Sequence, residues 1–233
     1  MTMTGLEPCA MLRRRPANTG RTTWRDVPLL FAAALISSLF LATAAKADPS
    51  DTAQHDLAFV INEVPDNPMG QRHRGSVIWR INRVEAAGQP DELAIHADIK
   101  IPDVKMTMTM DIRRNTDKSL PASHVVEMTF VTPRDVAGGQ VISSPGIMMK
   151  FAETARGTPL SAVSVKVIEG SFLIGLSNRE SDRVRNLQIL KERRWFDIPL
   201  VYANQHRGIL AVEKGFHGED VFNEAMTAWE QPR

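Results

Sequence analysis

Three methionines at alternate positions, Met106, Met108 and Met110, are the residues whose type most directly suggests chemistry. Thioether sulfur is a soft ligand, so a Cu(I) site is one interpretation of this run. The same spacing is the period of a β-strand, and the preceding segment places apolar side chains at Ile95 and Ile99 for them to pack against. Packing in a core accounts for all of these positions, so we favour it over a metal site.

The six histidines lack the H-x-x-x-H or H-E-x-x-H spacing of a metal site. His124 follows Ser123, but neighbours on a strand point to opposite faces and are poorly placed to act as nucleophile and base. The sequence also lacks a G-x-S-x-G motif, a phosphate-binding glycine loop and a dinucleotide fingerprint. We therefore assign no catalytic residue, no metal ligand and no cofactor, although scattered residues can still converge in space.

Two polar loops are where the sequence offers a binding surface. Residues 113–118 (RRNTDK) form the densest charged loop after the leader, and guanidinium groups pair well with carboxylates and phosphates. Residues 202–208 (YANQHRG) form the second loop. A solvated turn is the alternative interpretation of each. The predicted binding residues are Arg113, Arg114, Asp117, His206 and Arg207.

The first 47 residues have the pattern of an export leader. An arginine-rich segment precedes an uncharged, mostly apolar run at residues 27–45, and Ala45-Lys46-Ala47 is a small-x-small cleavage site. The competing interpretation is an uncleaved anchor in the inner membrane, because about 19 residues just reach across a bilayer. Both predict that the rest of the chain is periplasmic, either soluble after cleavage at Ala47 or tethered.

Charge and cysteine content exclude several classes of protein. The chain has 28 basic and 27 acidic residues, but six basic and only two acidic ones lie in the leader, so the remainder is slightly acidic. That balance gives no support to nucleic-acid binding. The single cysteine, Cys9, lies in the leader, so the rest has no disulfide or thiolate chemistry.

Two hairpins are expected from alternating apolar residues. If the chain reverses at Pro102-Asp103, Ile101 opposes Val104 and the apolar side chains of both strands share one face. A second reversal at Glu169-Gly170 pairs Val165 with Ile174 and again places apolar residues together.

Two short helices are also expected. Ser177 and Glu180 form a capping box that starts the first helix near residue 178, with its apolar stripe at Val184, Leu187 and Leu190. In the second helix, Glu219 and Asp220 lie in the first turn, and the apolar stripe comprises Phe222, Ala225, Met226 and Trp229.

These elements predict a mainly β (α+β) fold, an antiparallel β-sandwich or curved sheet with two short helices. The predicted organisation is a signal peptide or membrane anchor at residues 1–47, a polar lead-in and loop at 48–74, and a single β-rich domain at 75–233.

Five stretches of the chain resemble a group of uncharacterised alphaproteobacterial proteins that are exported or membrane-anchored. The resemblance spans residues 76–230 and brings no reaction, ligand or catalytic residue with it. It favours membrane tethering, because members often carry an N-terminal membrane segment. The stretches are RRNTDKSLPASH (113–124), GTPLSAVSVKV (157–167), FLIGLS (172–177), QILKERRWFDIPLVY (188–202) and RGILAVEKG (207–215).

The resulting hypothesis is a non-enzymatic envelope module that binds a protein or another envelope component through its sheet edge or polar loops. An enzyme acting on an envelope substrate is the first alternative, and a methionine-based copper-binding protein is the second. The inner membrane is a further partner if the leader is uncleaved, and no nucleic-acid partner is expected.

Overall fold

A computed structural model describes residues 56–86, 89–133 and 138–230. The predicted leader lies outside the described residues. Within them are two helices, α1 (Glu180–Glu192) and α2 (Gly215–Glu230), and twelve strands. The strands are β1 (Asp56–Val64), β2 (Asn67–Ala86), β3 (Gln89–Ile101), β4 (Met106–Arg114), β5 (Ala122–Val131), β6 (Val141–Ser143), β7 (Met148–Lys150), β8 (Thr158–Pro159), β9 (Ala162–Ile168), β10 (Ser171–Ser177), β11 (Trp195–Tyr202) and β12 (Arg207–Glu213).

All twelve strands belong to one antiparallel sheet that curls into a half-barrel. The strand order is β8-β7-β11-β12-β1-β2-β3-β4-β5-β10-β9, with β6 paired to β11 outside this path. The prediction of a mainly β fold, with a curved antiparallel sheet and two short helices, is confirmed. None of the helices in the described part of the chain is long and apolar enough to cross a membrane.

The inner face of the sheet is the one that carries the core and packs against α2. Trp79 on β2 is fully buried there, and its ring contacts Phe222 on α2 and Phe196 on β11. Met108 and Met110 are also buried in this core, where the alternation of β4 directs them.

In the β3–β4 hairpin the apolar side chains lie on one face, as predicted, but the two strands pair in a different register. Ile101 opposes Met106 instead of Val104. The reason is a longer turn: Pro102–Val104 form a 3₁₀ turn, and Lys105 closes it with a left-handed φ of 48°. A shift of two residues keeps every side chain on its face, so the predicted apolar face of this hairpin is correct.

The register predicted for the β9–β10 hairpin is wrong, and so is the face predicted for one of its strands. Val165 opposes Leu173, and Ile174 opposes Ser164, because a bulge shifts the register next to the turn. A shift of one residue reverses the face, so Val165 is 54% exposed whereas Ile174 is fully buried.

The predicted polar lead-in and loop at residues 48–74 is wrong over its described part, which forms β1 and the start of β2. Phe59 pairs with Arg74 across the two strands, because backbone pairing tolerates polar side chains on a partly exposed pair. The Arg72 guanidinium lies 3.5 Å from the centre of the Phe59 ring and also pairs with Glu153 at 2.6 Å. Stacking and ion pairing thus keep these polar residues in a strand.

Both helix starts differ from prediction. The first helix begins at Glu180 without a side-chain cap, because the Ser177 hydroxyl donates to Asp182 at 2.8 Å instead of forming the capping box. Its buried residues are Asn186, Ile189 and Leu190, while Val184 is exposed. The second helix begins at Gly215, a turn earlier than predicted, and the predicted apolar stripe is buried.

Candidate functional site

Helix α2 is fixed against the inner face by close packing at its start. Gly218 lies against the Trp79 indole so closely that a Cβ atom there would be 2.8 Å from Trp79 Cδ1. Trp79 Nε1 in turn donates a hydrogen bond to the Glu213 carbonyl at 2.9 Å. This contact requires glycine at position 218 and brings the start of α2 close to the sheet.

The end of α2 is held by an ion pair between a partly buried arginine and a buried glutamate. Arg114 donates to both carboxylate oxygens of Glu92, at 2.6 and 3.2 Å, and Glu92 is 3% exposed. The same guanidinium donates to the Trp229 carbonyl at 3.1 Å, where positive charge suits the C-terminal end of the helix dipole. Trp229 Nε1 donates to the Leu93 carbonyl at 2.9 Å.

Helix α1 is anchored through its buried polar residues. Asn186 accepts from the Ser161 amide at 2.8 Å and donates to the Ser161 carbonyl at 2.9 Å, which ties the helix to the residue before β9. Lys214, which is 1% exposed, donates to the Leu190 carbonyl and lies 4.0 Å from the centre of the Phe222 ring. Burial lowers the pKa of Lys214 to about 7.

A cleft opens between these two helices and the ends of β4 and β5. We call it the helix cleft, and its volume is about 850 Å³. Volumes in this range are typical of sites for organic ligands. Its lining comprises Arg114, Asn115, Ala122, Ser123, His124, Asn178, Arg183, Leu187, Gln188, Lys191, Met226, Trp229 and Glu230.

His124 is the unusual residue of the helix cleft. It is 4% exposed, its ring centre is 5.0 Å from that of Trp229, and neither ring nitrogen has a hydrogen-bond partner among the described residues. Burial, with the positive charges of Arg114 and Arg183, lowers its pKa from 6.5 to about 4. The ring is therefore neutral at physiological pH and presents one donor and one acceptor without partners.

The charges around His124 are mostly matched by partners. Arg114 is paired with Glu92, and Arg183 pairs with Glu180 one turn earlier on α1 at 2.7 Å. Lys191 has no ion-pair partner within the part of the chain that the structure describes. The α1 wall of the cleft therefore offers one cation that a ligand can neutralise.

Ser123 does not act together with His124, as the sequence predicts. Its hydroxyl donates to the Ser177 carbonyl at 3.0 Å, on the neighbouring strand β10. The arrangement therefore provides hydrogen bonding and charge for a ligand, whereas this serine and histidine do not pair as nucleophile and base.

The five predicted binding residues do not form one site. Arg114 lines the helix cleft, but Arg113 points to the outer face of the sheet, opposite to the inner face, and pairs with Glu127. Asp117 is exposed in the loop after β4, where its carboxylate accepts from the Ser119 amide at 2.8 Å. Hydrogen bonds from Ser119 lower the pKa of Asp117.

His206 and Arg207 lie far along the sheet from Arg114. His206 is in the β11–β12 turn, where its amide donates to the Asn204 side chain at 3.0 Å. Arg207 lines a second cleft of about 840 Å³ between this turn and the β1–β2 hairpin. Four strands, β1 to β4, lie between β12 and β5 in the sheet order, so these residues belong to a different surface.

Sequence reasoning missed His124 as a site residue, although a signal was present. His124 is in phase with Val126, Met128 and Phe130, the inward-facing residues of β5. Arg114 likewise continues the inward phase of the methionines on β4. A polar residue that ends an inward apolar stripe lies where the core ends, and both residues line the helix cleft.

Comparison with known proteins identifies no relative: the chain matches no protein-family model, no curated protein and no solved structure. The resemblance to exported alphaproteobacterial proteins stays a prediction.

Proposed function

We propose that the folded part of this chain is a non-enzymatic binding module of the cell envelope and that it holds its ligand in the helix cleft. The observation that carries the proposal is His124, a buried imidazole that lines the cleft and has no partner for either ring nitrogen among the described residues. A buried polar group without hydrogen bonds is costly. A ligand that supplies those bonds removes the cost and gains binding energy from it.

The envelope location rests on the leader pattern in the sequence. A basic segment, an apolar run and the Ala45-Lys46-Ala47 site together are typical of an export signal. The binding partner is then a periplasmic or membrane component, and an uncleaved leader adds tethering to the inner membrane.

An enzyme acting on an envelope substrate is the second candidate function. The observation that bears on it is a neutral imidazole, His124, in the lining of a cleft, which can accept a proton, although its lowered pKa makes it a weak base at neutral pH. Binding without reaction has the stronger support, because the hydroxyl next to this histidine in sequence bonds to backbone on β10 instead.

Identification of the bound molecule tests this proposal. The full chain is expressed, purified from the envelope fraction, and analysed by native mass spectrometry with solvent extraction of bound small molecules. Two tryptophan variants on the same helix provide the comparison. Leu187→Trp fills the cleft, whereas Val184→Trp changes an exposed residue outside the cleft lining.

We expect a bound mass in the wild type and in Val184→Trp that is lost in Leu187→Trp. The same bound mass in Leu187→Trp, or no bound mass in any of the three proteins, would contradict the proposal. A bound mass that converts to a second species over time in the wild type would favour the enzyme.

A further inference from the structure

We propose that the ligand of the helix cleft is an anionic amphiphile, a molecule that carries one acidic group on an apolar body. This inference rests on the proposed function of the cleft, and it adds the chemical class of the ligand. The acidic group is a carboxylate or a phosphodiester, each of which carries a single negative charge at neutral pH.

The size of the cleft favours a ligand with an organic body. A volume of about 850 Å³ lies in the upper part of the range for sites that enclose organic ligands. A free inorganic anion fills only a small part of such a space and leaves the apolar walls in water. The ligand must therefore extend beyond its charged group.

The basic residues that α1 contributes to the cleft favour a negatively charged ligand. Arg183 and Lys191 both line the cleft from this helix, eight residues apart and therefore on one side of it. Glu180 already pairs with Arg183, while Lys191 has no ion-pair partner among the described residues. One negative charge on the ligand balances Lys191 and lies in the field that lowers the pKa of His124. Glu230, the acidic lining residue, lies at the end of the opposite helix.

His124 supplies a directed contact to the same charged group. Its neutral ring has an N–H donor without a partner among the described residues, and a carboxylate or phosphodiester oxygen accepts from it. Arg114 and Arg183 disfavour a second proton on the ring, and a bound anion offsets their charges. Binding of an anion therefore also raises the pKa of His124.

The remaining wall suits the apolar body. Met226 and Trp229 come from α2, Leu187 from α1, and Ala122 from the start of β5. Methionine adapts to irregular apolar shapes, and the Trp229 ring offers a flat surface whose polar nitrogen is already bonded to Leu93. An alkyl or similar chain placed along these residues leaves no polar group of theirs unsatisfied.

Isothermal titration calorimetry on the full chain tests this inference with four probes below their micelle concentrations. Dodecanoate is a free acid with an apolar chain, and lysophosphatidylglycerol presents a monoanionic phosphodiester on a lipid. Lysophosphatidylcholine has a similar body without net charge, and acetate is an acidic group without the body.

We expect dodecanoate or lysophosphatidylglycerol to bind one to one, at least about tenfold more tightly than lysophosphatidylcholine and acetate. The tighter of the two acids identifies the source of the ligand as a free acid or a lipid. Lys191→Gln should weaken that binding several-fold, whereas Lys166→Gln, on β9 outside the cleft lining, should leave it unchanged.

Equal binding of lysophosphatidylcholine, equal binding of acetate, or an unchanged affinity in Lys191→Gln would overturn the inference. Its failure is distinguishable from failure of the proposed function. If the purified protein carries a small molecule that Leu187→Trp loses, but none of the acidic probes binds, the cleft is a ligand site for another class of molecule.

Discussion

Polar side chains on the two faces of the sheet differ in how they are paired. On the outer face, three cross-strand pairs form what we call the outer ladder: Arg80 with Asp98, His96 with Asp111, and Arg113 with Glu127. On the inner face, Arg114 lines the helix cleft and pairs with the buried Glu92, and the ring nitrogens of the neighbouring His124 have no partner among the described residues.

Two histidines make the difference clear. His96 and His124 are both buried, at 9% and 4% exposure. His96 Nδ1 is 2.7 Å from an Asp111 oxygen and thus belongs to the outer ladder, whereas neither ring nitrogen of His124 has a partner among the described residues. A charged motif therefore indicates a site less well than a polar group that the fold buries and leaves unsatisfied.

The largest expected effect is a difference in stability between variants of two adjacent arginines, Arg114 and Arg113. We expect Arg114→Met to destabilise the protein by about 3–5 kcal/mol, because it removes the guanidinium that pairs with the buried Glu92 carboxylate. Arg113→Met breaks a pair on the outer ladder and should cost about 1 kcal/mol or less. Urea unfolding measures both, and equal losses would mean that the two faces do not differ in this way.

The second comparison tests the register of β9 and β10. Ile174→Ala removes atoms from the core and should cost about 2–5 kcal/mol. Val165→Ala changes an exposed residue of the neighbouring strand and should change stability by about 0.5 kcal/mol or less. Thermal unfolding of the two variants checks this, and a large loss in Val165→Ala would instead support the pairing predicted from sequence.

A third prediction concerns the pH dependence of stability. The unfolded chain protonates His124 near pH 6.5, whereas the folded chain protonates it only near pH 4, so acidification between these values favours unfolding. The resulting loss is up to about 3 kcal/mol. His124→Phe keeps a ring beside Trp229 and should remove this part of the acid sensitivity. Urea unfolding from pH 7 to pH 4 measures it, and identical pH profiles for both proteins would refute the assignment.

The alternation of apolar and polar residues made much of the fold predictable. The register of the strands was not predictable, because it depends on the geometry of the turns and bulges. On β4, the shift of two residues caused by the 3₁₀ turn left Met106 and Met110 on the predicted face. On β9, a bulge shifted the register by one and exposed Val163 and Val165. A bulge depends on backbone geometry at one residue, and alternation of side chains does not encode it.

The site was less predictable because it depends on elements far apart in sequence. Arg114 was identified as a binding residue from its charged loop, but its contacts with Glu92 and Trp229 arise only when α2 folds onto the sheet. His124 becomes unusual only when Trp229 covers it. The alternation of β5 placed His124 inward, but nothing in that strand indicates that its nitrogens lack a partner.

The nitrogen NMR spectrum of His124 tests most directly whether the helix cleft is the binding site. It is recorded on full-length protein labelled at histidine, with the signal assigned from His124→Phe. Addition of the tighter acidic probe, dodecanoate or lysophosphatidylglycerol, should shift the ring nitrogens and raise the pKa of His124 above its value of about 4 in the free protein. Ring nitrogens that do not change at saturating probe would contradict the claim that the helix cleft is the binding site.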